Sequence, residues 1–168
     1  VITNATNMAG YVDVTVDQLV RIFEIRGSSK TNWARRLAPL YIKWVQQFNL
    51  RADIAWAMMA HETGFLEFNG VADPSWNNFC GLGVTGPVGV GCRFESEELG
   101  VIAQYAHLAW YAYPSHVNGY CSKTYDPRHS DGHFFNGNSS VGTLNGRWAL
   151  ASTYTDKILL FANQVFGR

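Results

Sequence analysis

Two long stretches that cannot be helical, residues 69–91 and 114–146, interrupt a chain whose remaining apolar residues recur with helical spacing. Gly, Pro, Ser and Asn crowd both stretches and call for turns and loops. The first helix starts at Thr15, an N-cap with Gln18 reaching back to it, and continues through Leu19, Val20, Ile22 and Phe23 until the stretch at Gly27. A second, over about 33–48, aligns Leu37, Leu40, Tyr41, Trp44, Val45 and Phe48, with Pro39 either kinking it or marking its true start. A third runs over about 51–62, with Gly64 suited to the left-handed residue that closes a helix. Ser96, Glu97 and Glu98 open a fourth, carried by Leu99, Ile102, Ala103, Ala106 and Trp110, and Tyr154, Ile158, Leu159, Ala162 and Val165 mark the last. The expectation is a mainly α domain with long irregular loops and at most a small hairpin lobe. Loops this long in a compact domain are more often functional than accidental, so both become candidate walls of a groove.

Size and charge narrow the function. At 168 residues the chain is the length of one domain spanning 1–168, and 47% hydrophobic against 15% charged residues is a globular composition. Thirteen basic and thirteen acidic side chains cancel, and no basic cluster extends beyond Arg35 and Arg36, which argues against nucleic acid as a partner. No apolar run approaches the roughly 20 residues of a membrane span, and the N-terminus lacks the features of a signal peptide, so a mature form or an excised domain is expected. Cys80, Cys92 and Cys121 match no metal-ligand spacing and allow either one disulfide plus a thiol or three thiols.

Glu62 is the residue with chemistry to offer. At 100° per residue, Ala55, Met58, Met59 and Glu62 share one face of the third helix, with Asp53 opposite. Desolvation on that apolar stripe and the negative end of the helix both raise a carboxyl pKa. An acid that keeps its proton beside a groove is what glycosidic cleavage needs, because the leaving oxygen must be protonated. A lone Glu at a helix end, however, is ordinarily solvated.

The wider string adds a resemblance. His61-Glu-Thr-Gly-Phe65, followed by Asn77-Asn-Phe-Cys-Gly-Leu-Gly83, resembles the bacterial glucosaminidase-domain family, which carries a Glu-Ser/Thr-Gly motif at a helix end and an Asn-Asn/Leu-Phe-x-Gly-Ile/Leu motif shortly after. Phe94-Glu-Ser-Glu-Glu-Leu-Gly100, Gln104, His107-Leu108, Asp126-Pro-Arg128, Leu144-Asn-Gly-Arg-Trp-Ala149 and Tyr154 are similar to the version in clostridial cell-wall hydrolases and phage endolysins, so the resemblance covers about residues 12–166. It implies a lysozyme-like helical fold and a peptidoglycan glycan strand as partner, cut after N-acetylglucosamine. It also implies Glu62 as catalytic acid, Asn78, Phe79 and Gly81 as the sugar-lining loop, and Gln104, Trp148 and Tyr154 as cleft residues. A monomer without cofactor or metal is expected, acting outside the cell at the wall or released as a phage endolysin from the host cytoplasm.

The second carboxylate of glycoside hydrolysis is not named by the sequence. Residues 84–94 contain no Asp or Glu, which leaves Asp73 as the catalytic candidate, with Glu95 and Asp126 explained by capping and a turn. Alternatively Glu62 acts as the only indispensable carboxylate, with the substrate's N-acetyl oxygen or a water attacking, or with the muramic 6-hydroxyl attacking as in a lytic transglycosylase.

Other classes remain to be weighed. A zinc protease would need His where Phe65 stands after His61-Glu62. His129 and His133, near Asp126 and Asp131, could hold a metal but sit in a Ser/Gly-rich segment. Cys80 with His107 as base would make a cysteine amidase, and exposed aromatics without a working acid would make a glycan-binding module.

Overall fold

The computed structural model describes residues 1–129 and 135–168. Five helices carry the fold: α1 (Val16–Ile25), α2 (Thr31–Phe48), α3 (Ala52–Thr63), α4 (Glu97–Ala112) and α5 (Thr155–Val165), with 3-10 turns at Pro74–Trp76 and Val141–Leu144. Among the described residues, β pairing is confined to isolated bridges such as Asn7 to Ser140 and Ala9 to Leu50, so the architecture is mainly α. No helix among them is long and apolar enough to cross a membrane.

α1 starts as its sequence dictates. The Thr15 hydroxyl accepts from Gln18 N at 3.1 Å while Gln18 Oε1 accepts from Thr15 N at 2.9 Å, satisfying two end donors at once. α2 begins at Thr31 and runs through Pro39 without stopping. Pro39 and Arg35, whose carbonyl loses its helical donor there, are both exposed, so water can take the missing hydrogen bond.

α3 corrects the one-stripe picture drawn from periodicity. Ten of its twelve residues are buried, Asp53 among them at 1% exposure, where Arg51 holds it through two hydrogen bonds of 2.8 and 3.2 Å. The helix is enclosed from its start through Ala60, with His61 exposed in its last turn, and α2, α4 and α5 all pack against it. Trp56 Nε1 donates to Leu19 O of α1 at 2.8 Å. Gln104 on α4 donates to Ala55 O at 2.8 Å and accepts from the Tyr41 hydroxyl. Gln104 therefore ties α4 to α2 and α3 inside the core, with no exposed surface, and is not a cleft residue.

Ser96 caps α4, its hydroxyl accepting from Leu99 N at 3.1 Å. One turn further on, Gly100 lies against the loop 77–79: a methyl group at its Cα would stand 1.8 Å from Asn77 O and 3.2 Å from the Phe79 ring. Only hydrogen fits between helix and loop. Gly100→Ala should therefore displace the loop at a cost of ~3 kcal/mol or more. Thermal unfolding would show this as a fall in Tm of many degrees, and an unchanged Tm would mean that the contact yields without cost.

Candidate active site

The end of α3 is built to stop one residue after Glu62. The Thr63 hydroxyl donates back to Met59 O at 2.8 Å and accepts from Leu66 N at 2.9 Å, while Phe65 N and Phe68 N donate to Ala60 O and Thr63 O at 2.8 and 2.9 Å. Gly64, Phe65, Leu66 and Phe68 all take positive φ, between 51° and 65°. Three of these bear side chains, and each costs roughly 1–2 kcal/mol in that conformation. Burial of Phe65 and Leu66 in the core offsets the cost and turns the chain sharply away from Glu62.

Glu62 is left at the rim, half-buried. Tyr154, at the start of α5, donates its hydroxyl to Glu62 Oε1 at 2.9 Å, and Trp148 also hydrogen-bonds the carboxyl. From the other side comes Gly81, at φ 65°, where an added methyl would meet Glu62 Oε2 at 3.1 Å. Burial pushes the Glu62 pKa up and outweighs the two hydrogen bonds, which favour the ionised form and pull it down. The Tyr154 hydroxyl is itself driven well above its ordinary pKa by burial and by Glu62, so it remains a donor.

Two hollows adjoin beside this carboxyl, which lines the first of them. One, of about 280 Å³, is bounded by Glu62, Phe68, Asn69, Ala72, Gly81 and Val84. The other, of about 230 Å³, is bounded by Cys80, Gly81, His107, Arg128, Arg147 and Trp148. Gly81 and Val84 border both, which makes them two arms of one cleft. A larger cavity of about 480 Å³ lies elsewhere, beside Trp110, Tyr113, His116 and His129, but no carboxyl group lines it among the described residues.

The residues singled out from sequence divide into those that meet at Glu62 and those used inside the fold. Gly81, Trp148 and Tyr154 meet there. Asn78 is 1% exposed, and its amide is taken up by backbone: Nδ2 donates to Leu82 O at 2.8 Å and Cys92 O at 3.0 Å, and Oδ1 accepts from Leu82 N at 3.0 Å. It clamps the loop, with no polar group left for a sugar. Phe79 has no exposed surface and packs on Trp33 and Phe68, so its side chain lines the core. Asp73 stands exposed as the N-cap of the 3-10 turn, its carboxylate accepting from Ser75 N at 2.9 Å and Ser75 Oγ at 2.6 Å; these bonds hold its pKa below the usual range. It does not border the cleft.

Cys80 is buried, and burial, followed by the nearby carboxyls of Glu62 and Asp126, drives its thiol well above the ordinary range. Burial there disfavours the thiolate, the state a cysteine nucleophile requires. No disulfide joins Cys80, Cys92 and Cys121. His129 Nε2 pairs with His116 Nε2 at 3.0 Å; His133 and Asp131 lie outside the described residues. No group of three His, Cys, Asp or Glu suited to a metal occurs among the described residues. His107, offered by sequence only as a packing residue or a base for Cys80, borders the cleft, and its Nδ1 lies 2.8 Å from Asp126 Oδ2. Nineteen residues separate the pair, and no local pattern links them.

No family model matches the chain. An uncharacterized protein of Borreliella burgdorferi is 30% identical over 139 residues, which is 80% of this chain, and the chain spans 64% of that relative's length. Among solved structures, S. aureus autolysin E shares the fold. Its complex with the muropeptide NAM-L-Ala-D-iGlu aligns with a TM-score of 0.55, and a catalytic mutant bound to the disaccharide NAG-NAM aligns with 0.54, each at 12% identity and over 99% of this chain. The chain covers 73% and 72% of those two structures. At that identity the likeness is one of fold.

The cost of keeping Glu62 at the rim is measurable. Its folded pKa lies above the unfolded value, so the contribution of the neutral acid is complete below the unfolded pKa and is lost as pH rises through the folded one. Glu62→Gln, which cannot ionise, should therefore unfold at a higher temperature than wild type at pH 7 and at nearly the same temperature at pH 4. Melting curves at the two pH values that differ by the same amount would contradict the raised pKa.

Proposed function

We propose that this chain is a peptidoglycan hydrolase that cleaves the β-1,4 bond after N-acetylglucosamine, with Glu62 as general acid. The observation that carries the reading is a half-buried carboxyl, its pKa raised by burial, lining one arm of a cleft whose two arms share Gly81 and Val84. Burial biases such a group toward its protonated form, from which it can pass a proton to the leaving oxygen. Tyr154 and Trp148 fix the carboxyl's orientation and temper its pKa so that the proton can be released. Gly81, without a side chain, lets a sugar approach the acid closely.

Support for the substrate comes from the fold neighbour, since S. aureus autolysin E binds the disaccharide NAG-NAM and the muropeptide, and its catalytic mutant exchanges a glutamate for alanine. The choice of the bond after N-acetylglucosamine follows the sequence resemblance. On this reading the chain acts at the bacterial wall, on the glycan strand, as a monomer and without cofactor. The cysteine amidase reading loses its nucleophile with the raised Cys80 pKa.

Digestion of purified peptidoglycan, with new sugar ends identified by borohydride reduction and mass spectrometry, tests this directly. Reduced N-acetylglucosamine ends are expected, with turnover falling roughly 10²–10⁴-fold in Glu62→Gln. Reduced muramic ends would make it a muramidase, anhydro-muramic ends a lytic transglycosylase, and no new ends would overturn the glycosidase reading. A second expectation concerns pH. Tyr154→Phe removes a hydrogen bond that favours the ionised carboxyl, so the alkaline limb of the activity profile should move to higher pH. A limb that stays in place would detach that limb from Glu62.

A further inference from the structure

The arm of the cleft that Glu62 lines is bordered by a run of main chain, Asn69-Gly-Val-Ala72. Both ends of this strip are fixed. Before it, Phe68 N donates to Thr63 O at 2.9 Å, a φ of 51° turns the chain, and the Phe68 ring stacks on Trp33 at 5.7 Å between centroids. After it, the Asp73 carboxylate accepts from Ser75 N and Oγ, and Trp76 N donates to Asp73 O at 3.0 Å. Between those anchors, neither the main chain of 69–72 nor the Asn69 side chain makes a hydrogen bond to any described residue. Asn69 and Gly70 are exposed, and Val71 and Ala72 are partly so. A taut strip of peptide groups, with one carboxamide, therefore faces solvent and whatever enters the arm beside the acid.

The chemistry of the arm selects among the groups a wall glycan carries. No Lys, Arg or His is among the described residues that border it, so a carboxylate entering there would meet no counter-charge. The Thr63 hydroxyl is already taken up by Met59 O and Leu66 N. What remains besides Glu62 is amide: the Asn69 carboxamide and the peptide groups of the strip, each offering a donor and an acceptor. Val71, Ala72 and Val84 bring aliphatic carbon to the same hollow. An acetamido group matches both features, since its C=O and N–H pair with amides and its methyl rests on aliphatic carbon. A hydroxyl in its place would use only part of that surface.

We infer that the strip 69–72, with the Asn69 side chain, is the specificity-determining wall of the cleft and binds the 2-acetamido group of the sugar that occupies the Glu62 arm. This rests on the reading of the chain as a glycosidase with Glu62 as its acid. Asn69 binds and takes no part in breaking the bond. It fills the role that the sequence offers to Asn78, whose own amide is spent on Leu82 and Cys92. The stacking of Phe68 on Trp33 and the Asp73 cap hold the strip open at the spacing a sugar substituent meets.

Binding is tested on Glu62→Gln, so that hydrolysis does not intervene, with two uncharged probes that share one backbone: the β-1,4 tetramer of N-acetylglucosamine and the β-1,4 tetramer of glucose. Calorimetry should show the acetylated tetramer binding at least about 10-fold more tightly. Adding Asn69→Ala should weaken that tetramer about 10-fold, as for one lost hydrogen bond, and leave the glucose tetramer unchanged. Because Asn69 is exposed, the variant should keep its Tm. In amide NMR spectra the N–H signals of Gly70, Val71 and Ala72 should shift with the acetylated tetramer and stay in place with the glucose tetramer. Equal losses on both tetramers, no loss on either, no binding of the acetylated tetramer, or shifts confined to other residues would each overturn the inference. The glycosidase reading fails separately: wild type that binds the acetylated tetramer at this wall yet releases no new sugar end from peptidoglycan would leave a glycan-binding site without the reaction.

Discussion

A helix without a solvent face has to be enclosed by everything else in the chain, and α3 is such a helix. Ala52, Ala55, Ala57 and Ala60 keep its surface shallow, while Trp56, Met58 and Met59 fill the gaps between α1, α2, α4 and α5. Even its one charged residue near the start, Asp53, is buried against Arg51. The helix thereby acts as a rigid post. Glu62 sits at the end where the post reaches the rim, beside the exposed His61, so the position of its carboxyl is set by the packing of the core and not by a loop.

The character of that acid is a balance of two opposing effects. Burial disfavours the charged form, and hydrogen bonds from Tyr154 and Trp148 favour it. Both donors come from the C-terminal part of the chain, so the segment 145–155 supplies the correction to an acid carried by α3. Neither half alone would give a carboxyl that both holds a proton and releases it. The His107–Asp126 pair follows the same logic on the far side of Trp148, a buried carboxylate orienting a ring that reaches the cleft.

Much of this was legible in the sequence, for reasons that can be named. The capping box at Thr15, the hydroxyl cap at Ser96 and the glycine after α3 are local chemistry, and each helix end falls where they put it. Glu62, Gly81, Trp148 and Tyr154 were visible as a pattern of residue types. Periodicity failed at α3 because a helix buried all round has no stripe to count, and Pro39 was ambiguous because its tolerance depends on an exposed carbonyl one turn earlier. Asn78 was identified by type but not by use: an amide that can bond a sugar can equally bond backbone N–H and C=O groups, and only the fold says which are within reach. Gln104 and Phe79 share that fate. Asp126 and His107 are joined only by tertiary structure.

The Asn78 amide also partitions its loop. By holding Leu82 at one end and Cys92 at the other, it closes the segment 83–91 into a bight anchored at both ends. Val88 at the tip is 94% exposed, and Gly86 and Gly89 have nothing within 4 Å of an added methyl. The tip of that bight is therefore the place where this scaffold can accept residues, lengthen or grow a new lobe while the anchored ends stay in place, which makes it the natural entry point for diversifying or engineering the surface beside the cleft.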